Sequence, residues 1–263
     1  MNNRQKLKRF ILQQERKLIA YEKRYAKLIR IALLEQVEYA IENRGVIPDL
    51  PMFNALKSLY ETVTFDFLQL QYNSLEREVK KDAGFFLNMW RTWIQSYVFT
   101  ALAMRVSNIN ETTRKRIQEA IAIGVDQGLE WDVIAKLIRE KVGDISSLKR
   151  AIMIARTETA NSANMAKEKS SEDWERETGE VLYKLWIHRY AKEPRSWHQR
   201  LDNEVAIPKS QKFTVYNPRT GSTEYMLRPH SDGATAENVV NCSCQVIYVS
   251  ESFAKNLAKD LLN

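Results

Sequence analysis

The sequence predicts an α+β protein: a predominantly helical N-terminal half with a long first helix, then a small mixed α/β C-terminal region with a short, mainly antiparallel sheet. Three observations predict it. Prolines are confined to the ends, Pro48 and Pro51 early and the next at Pro194, so the 142 residues from 52 to 193 contain none. That stretch is rich in Ala, Leu, Glu, Lys and Arg, which lose little on entering a helix. Past Gly179 the apolar period changes from helical to two, and the later prolines recur beside Gly, Asn and Asp as turn residues do.

Each element follows from its own pattern. Residues 3 to 43 form one long helical candidate in which Ile11, Leu18, Tyr25 and Ala32 recur every seven residues, with Tyr21 and Leu28 on the alternate seam. Such a stripe suits a partner helix. Gly45 and the Ile-Pro-Asp-Leu-Pro run end it. Further helices are expected over 52 to 81, 85 to 106 and 111 to 127, the last capped by Asn110, and then over "LEWDVIAKLIREKVG", closed by Gly143. Residues 146 to 179 make another long helix. "VLYKLWIHR" alternates Val181, Tyr183, Leu185 and Ile187 with Leu182, Lys184, Trp186 and His188, a strand pattern. "EPRSWHQRLDN" can form a short helix with Pro194 in its first turn and Asn203 as a left-handed stop. "KFTVYNPRTGSTEYML" reads as two strands about a loop, "NCSCQVIYVS" as a further strand, and "SFAKNLAKDLLN" as a closing helix. The division expected is 1–108, a helical attachment region with a basic first helix, and 109–263, an α+β domain.

The net charge of +7 is concentrated. Residues 1 to 30 hold ten basic residues, among them Lys6, Lys8, Arg9, Arg16, Lys17, Lys23, Arg24, Lys27 and Arg30, against Glu15 and Glu22. The rest of the chain is nearly neutral, so the protein reads as a neutral body with a basic arm, a candidate contact for DNA or an acidic protein surface. No secretory leader is expected, because the N-terminus is polar and basic without an apolar core. "FFLNMWRTWIQSYVFTALAM" is long enough to span a bilayer, yet Asn88, Arg91, Gln95 and Ser96 interrupt it, so no membrane segment is expected. Its aromatics Trp90, Trp93, Tyr97 and Phe99 are expected to pack in a core or on a protein partner rather than stack on bases. The two cysteines, Cys242 and Cys244, are one residue apart. A disulfide would close a very tight ring, which favours thiols that are free or metal-bound.

One segment raises a question of its own. "AIMIARTETANSANMAK" carries Arg156 and Glu158 in a run of small residues. On a helix these two point about 200° apart, and neither has an opposite charge three or four places away. Both must aim at something outside the helix. A helical "EPRSWHQRLDN" places Arg195, His198 and Asp202 on one stripe. A strand at "NCSCQVIYV" puts Cys242 and Cys244 on one face. Glu158 is therefore expected to receive Arg195 or His198, and Arg156 to meet Asp202 or Asp232. The small residues Ala155, Thr159, Ser162, Ala163 and Ala166 would let the helix approach the sheet closely. Together Arg156, Glu158, Arg195, His198 and Asp202 form the expected structural polar network.

The series Ala-Arg-Thr-Glu, then Lys184 and Trp186, then Arg195, His198 and Asp202, and finally Asn241-Cys242-Ser243-Cys244 resembles the phage head morphogenesis family, the Mu F-type minor head proteins of tailed bacteriophages. The likeness covers roughly residues 110 to 250. Where the family has an Asp before the Arg, a Gly after the Asp and an Arg between the cysteines, this chain has Glu193, Asn203 and Ser243. The resemblance implies a structural virion protein without enzymatic activity. It would be bound near the portal inside the capsid, act in head assembly and in DNA retention or delivery, and reside in the host cytoplasm during assembly. The implied partners are the portal protein, the major capsid or scaffold protein, and packaged DNA through non-specific contact.

Two other readings stand beside it. No cofactor is expected, but Cys242, Cys244 and His198, with His230, His188 or Asp202 as a fourth donor, have the ligand types of a zinc site. His198 and Asp202 could serve as base and orienter with Glu158 as a second acid, which would make a metal-dependent nuclease or hydrolase; no nucleophile motif or phosphate loop accompanies them. A DNA-binding adaptor acting through charge alone is the third reading.

Overall fold

In the computed structural model, which describes residues 2–76, 84–144, 146–188, 195–202 and 205–262, helix α1 (Asn3–Glu42) opens on a capping box. The Asn2 side chain accepts from the Gln5 N–H while the Gln5 side chain accepts from the Asn2 N–H, so two N–H groups at the helix start are satisfied reciprocally. Gly45, at φ +95°, turns the chain into α2 (Leu50–Glu76). Helices α3 (Gly84–Asp126), α4 (Trp131–Val142) and α5 (Leu148–Thr178) follow. Ser147 caps α5, its hydroxyl accepting from the Arg150 N–H, and Gly179 ends it in the left-handed conformation.

Two of the expected helices are one. Asn110, expected to cap a new helix, is fully buried inside α3. Its amide accepts from Gln36 and donates to Asp49, so partners from α1 and the α1–α2 loop take the hydrogen bonds a cap would give to its own helix. Residue 108, the expected division point, lies within this helix. The far end of the second expected helix, residues 77–81, lies outside the described residues, as do Glu193, Pro194 and Asn203.

The expected heptad stripe on α1 is real, but its partners are in the same chain. Leu18, Tyr25 and Ala32 are buried in a core shared with α2, α3 and α5, while Leu28 faces outward. The same core takes Leu182, Val246 and Tyr248 from the C-terminal region, so both halves share it. The apolar stretch 85 to 104 lies in α3 and buries Trp90, Ile94, Val98 and Leu102 at intervals of four, with Trp93 and Tyr97 packed alongside. Phe99 is 86% exposed. No helix among the described residues is long and apolar enough to cross a membrane.

Beyond α5 come β1 (Leu182–Ile187), α6 (Ser196–Gln199), β2 (Ile207–Pro208), β3 (Phe213–Asn217), β4 (Ser222–Met226), α7 (Ala236–Val239), β5 (Gln245–Ser250) and α8 (Glu251–Leu262). One antiparallel sheet has the order β2-β1-β5, with Trp186 opposite Val246; β3 and β4 form a separate hairpin. The period-two pattern decides the faces of the sheet. Leu185, Ile187, Ile247 and Val249 pack with Leu7 and α8, and Val246 and Tyr248 pack toward the long helices. Trp186 joins Trp197, Phe213, Val215, Met226 and both cysteines in a small core of their own.

Candidate functional site

Helix α5 is the element from which the polar interior is built. Its small residues let it lie close to α1 and α2 as well as β5: Ala155, Ala163 and Ala166 sit in the main core, and Ser162 shares a hydrogen bond with Thr64 of α2. Arg156 and Glu158 do reach outside their helix, in opposite directions and to partners other than those expected. Arg156 meets the buried Glu22 of α1 at 3.5 Å and donates to Asn241 Oδ1 at 2.8 Å, in place of Asp202 or Asp232. Glu158 receives the Tyr60 hydroxyl at 2.6 Å and Arg105 at 3.3 Å, in place of Arg195 or His198. The correction has a simple cause: α2 and α3 flank the Glu158 side of α5, and they carry a hydroxyl and a guanidinium there. Burial, and then the Glu158 charge, push the Tyr60 phenol well above its ordinary range. Burial opposes the charge on Arg105, and Tyr60 and Glu158 more than offset it.

A second stripe of α5 addresses the C-terminal region. Thr157, Asn161, Asn164 and Glu168 follow steps of four, three and four, and so share one face. Thr157 accepts from the Asn241 N–H at 2.8 Å. With its amide turned so that both ends are satisfied, Asn161 accepts from Arg105 at 2.8 Å and donates to the His230 carbonyl at 3.2 Å. Asn164 donates to the Cys244 carbonyl and accepts from the Val246 N–H, each at 2.9 Å. Glu168 pairs with the buried Arg228 at 2.6 Å, and Arg228 also donates to the His230 carbonyl at 2.6 Å. Beside this stripe Lys167, fully buried, donates to Gln14 and Gln245. Its charge is disfavoured by burial. Sequence reasoning missed Tyr60, Arg105, Asn161, Asn164, Lys167, Glu168 and Arg228; the 4-3-4 polar spacing was the one signal available for the α5 members.

Cys242 and Cys244 precede β5 instead of alternating on it. Asn241 takes φ +58°, which turns the chain before the strand begins at Gln245. That turn brings both sulfurs to His198: Nδ1 lies 3.5 Å from Cys242 Sγ and 3.6 Å from Cys244 Sγ. His198, Cys242 and Cys244 are each no more than 3% exposed. The three donor atoms lie within 4.8 Å of one another and can hold a soft cation. Hydrogen bonding from Cys244 lowers the Cys242 thiol well below its ordinary range against the effect of burial.

The expected stripe of Arg195, His198 and Asp202 is broken up, because α6 is a single turn flanked by both outer members. Arg195 donates to the Val240 carbonyl at 2.7 Å, and Asp202 accepts from the His188 N–H at 3.0 Å. Asn238 holds the His198 ring through Nε2, the place assigned to Asp202 as orienter. His230, a candidate fourth donor, adopts φ +62° and is buried, with Nε2 on the Cys242 carbonyl.

The basic residues of α1 divide into two groups. Lys17 pairs with Asp66 at 2.6 Å. Lys6, Lys8, Arg9, Arg16, Lys23, Arg24, Lys27 and Arg30 are exposed. Of these, Arg9, Arg16, Lys23, Lys27 and Arg30 fall within an arc of about 60° and extend for about 30 Å along the helix.

Lys184 of β1 supplies a pH test. Its ammonium donates to the Leu227 carbonyl at 2.7 Å and lies over the Phe213 ring, and burial lowers its pKa from 10.5 to about 8. The folded chain thus gives up this proton near pH 8, while the unfolded chain keeps it to about pH 10.5, so this site adds stability as pH rises between those values. The stability difference between the wild type and Lys184→Met should move in favour of the wild type between pH 7.5 and 10. Thermal unfolding of both proteins across that range measures it.

Comparison with known proteins adds three findings. The family model described as "Phage Mu protein F like protein" matches residues 115–247, just over half of the chain, from the second half of α3 into β5. The NAD(+)–arginine ADP-ribosyltransferase EFV of Enterococcus faecalis is 27% identical over 159 residues, which are 60% of this chain and 30% of that protein. The chain therefore spans less than a third of that relative's length. No solved structure matches the chain.

Proposed function

Because the chain belongs to the Phage Mu protein F like family, we propose that it is a structural minor head protein of a tailed phage. It binds at or near the portal inside the capsid and acts in head assembly and in DNA retention or delivery. The observation that carries this reading is the family match over residues 115–247, which takes in α5, the Arg228 loop and the thiol cluster. The chemistry of the interior supports it: Glu158 pairs with Arg105 and Arg228 with Glu168, as in a part that holds its shape.

The exposed basic stripe on α1 supplies the attachment surface in this reading. Deleting the first helix would not test it, because Leu18, Tyr25, Ala26 and Ile29 belong to the main core. Replacing Arg9, Arg16, Lys23, Lys27 and Arg30 by glutamine removes the charge and leaves the buried face alone. The parent chain should co-purify with the portal protein and be present in purified virions; absence from virions overturns the proposal. The five-fold variant should lose whichever association weakens with salt, and if that is retention on DNA, the salt slope should flatten with it.

An enzymatic reading remains distinct. The relative from Enterococcus faecalis is named as an ADP-ribosyltransferase, and this chain spans 30% of it. Turnover of NAD(+) by the purified chain, or DNA cleavage that stops in chelator, would replace the structural reading.

A further inference from the structure

We infer that His198 Nδ1, Cys242 Sγ and Cys244 Sγ bind one zinc ion. Zinc takes thiolate sulfur at about 2.3 Å and imidazole nitrogen at about 2.0–2.1 Å in a tetrahedron, which sets the sulfur-to-nitrogen edge at about 3.5–3.6 Å. The two edges here are 3.5 Å and 3.6 Å. Both sulfur-to-nitrogen distances therefore match those of a shared ion, and the three donors lie within 4.8 Å of one another.

The hydrogen bonds around the ring fix its tautomer in the same sense. Asn238 donates through its amide nitrogen to Glu224 at 2.7 Å, so its oxygen is the atom turned toward α6. That oxygen accepts from the Trp197 indole at 2.8 Å and lies 3.1 Å from His198 Nε2. An acceptor opposite Nε2 requires the proton there, which leaves the lone pair on Nδ1 facing two sulfurs. A carboxamide holding the far nitrogen is the outer-shell arrangement that orients a ligating histidine. Without a metal, one lone pair can accept from only one of the two thiols.

A second observation concerns the sulfurs. The Trp186 indole N–H is buried and has no aligned acceptor among the described residues. It packs in the same small core as both cysteines. The Cys244 N–H in turn points to Cys242 Sγ at 3.4 Å. An N–H aimed at sulfur suits a thiolate, which accepts hydrogen bonds well, and metal-bound cysteines are deprotonated. The ion would fasten α6 to the loop entering β5, where Asn164 already holds the backbone.

The test begins with the intact reduced chain, purified without chelator and assayed for metal. One zinc per chain is expected. Cys244→Ser and His198→Ala should each reduce it at least ten-fold. Because the chain has only two cysteines, cobalt added to the stripped, reduced protein should give thiolate-to-metal absorption and tetrahedral d–d bands that report this site alone. The cobalt spectrum needs no variant and stands even if the substitutions fail to fold. A chain that carries no zinc and gives no thiolate band overturns the inference, and so does zinc retained in full by a folded Cys244→Ser. An intact mass two hydrogens low in freshly made protein, marking a Cys242–Cys244 disulfide, overturns it as well.

Discussion

Arg105→Met is expected to lower the unfolding free energy by about 3–5 kcal/mol, the usual cost of stranding one member of a buried ion pair. Arg105 meets Glu158 at 3.3 Å, and the Glu158 side chain is only 7% exposed, so the carboxylate left behind has little access to water. The Tyr60 hydroxyl still donates to it, but one neutral donor does not replace a guanidinium. Arg105 itself is 24% exposed, which places the loss toward the lower end of that range. The double variant Arg105→Met, Glu158→Leu removes both charges and should recover much of the stability, since an apolar pair of similar volume avoids the desolvation of two ions. Chemical denaturation of the three proteins measures both effects. A double variant as unstable as the single one would show that Tyr60 and Asn161, and not charge, set the cost.

Asn164→Leu should cost roughly 2–6 kcal/mol, because it strands two buried backbone groups, each worth about 1–3 kcal/mol when left unpaired. The amide donates to the Cys244 carbonyl and accepts from the Val246 N–H, and it is fully buried. Leucine fills similar space and offers neither bond. The defect should also spread to the neighbouring loop, so the zinc proposed there should be lost in Asn164→Leu although none of its proposed ligands is altered. A variant that loses stability but keeps its full metal would separate the α5 clamp from the thiol cluster.

Much of the fold was legible because local signals and tertiary packing agreed. Gly179 ends α5 where the helix was expected to stop, and the alternation from Val181 gives β1 its two faces. The resemblance read from the Ala-Arg-Thr-Glu and Asn-Cys-Ser-Cys segments is borne out by the family match over residues 115–247. Where local and tertiary signals diverge, the reading failed. Asn110 has the residue type of a cap, yet Gln36 and Asp49 occupy its amide and α3 runs through. The cysteines carry strand spacing, yet the left-handed Asn241 holds them off the strand.

The sequence by itself determined the order of elements, the concentration of charge on α1 and the need for Arg156 and Glu158 to find partners off their helix. Periodicity and charge spacing are properties of neighbours along the chain, and they survive without knowledge of the fold. Only the tertiary structure decided that Glu158 belongs to Tyr60 and Arg105, that Arg156 spans Glu22 and Asn241, and that His198 stands between two sulfurs. A buried polar group is bound by whichever complementary atom the packing delivers within about 3 Å. The sequence lists many candidates for that atom, and the apolar core chooses among them.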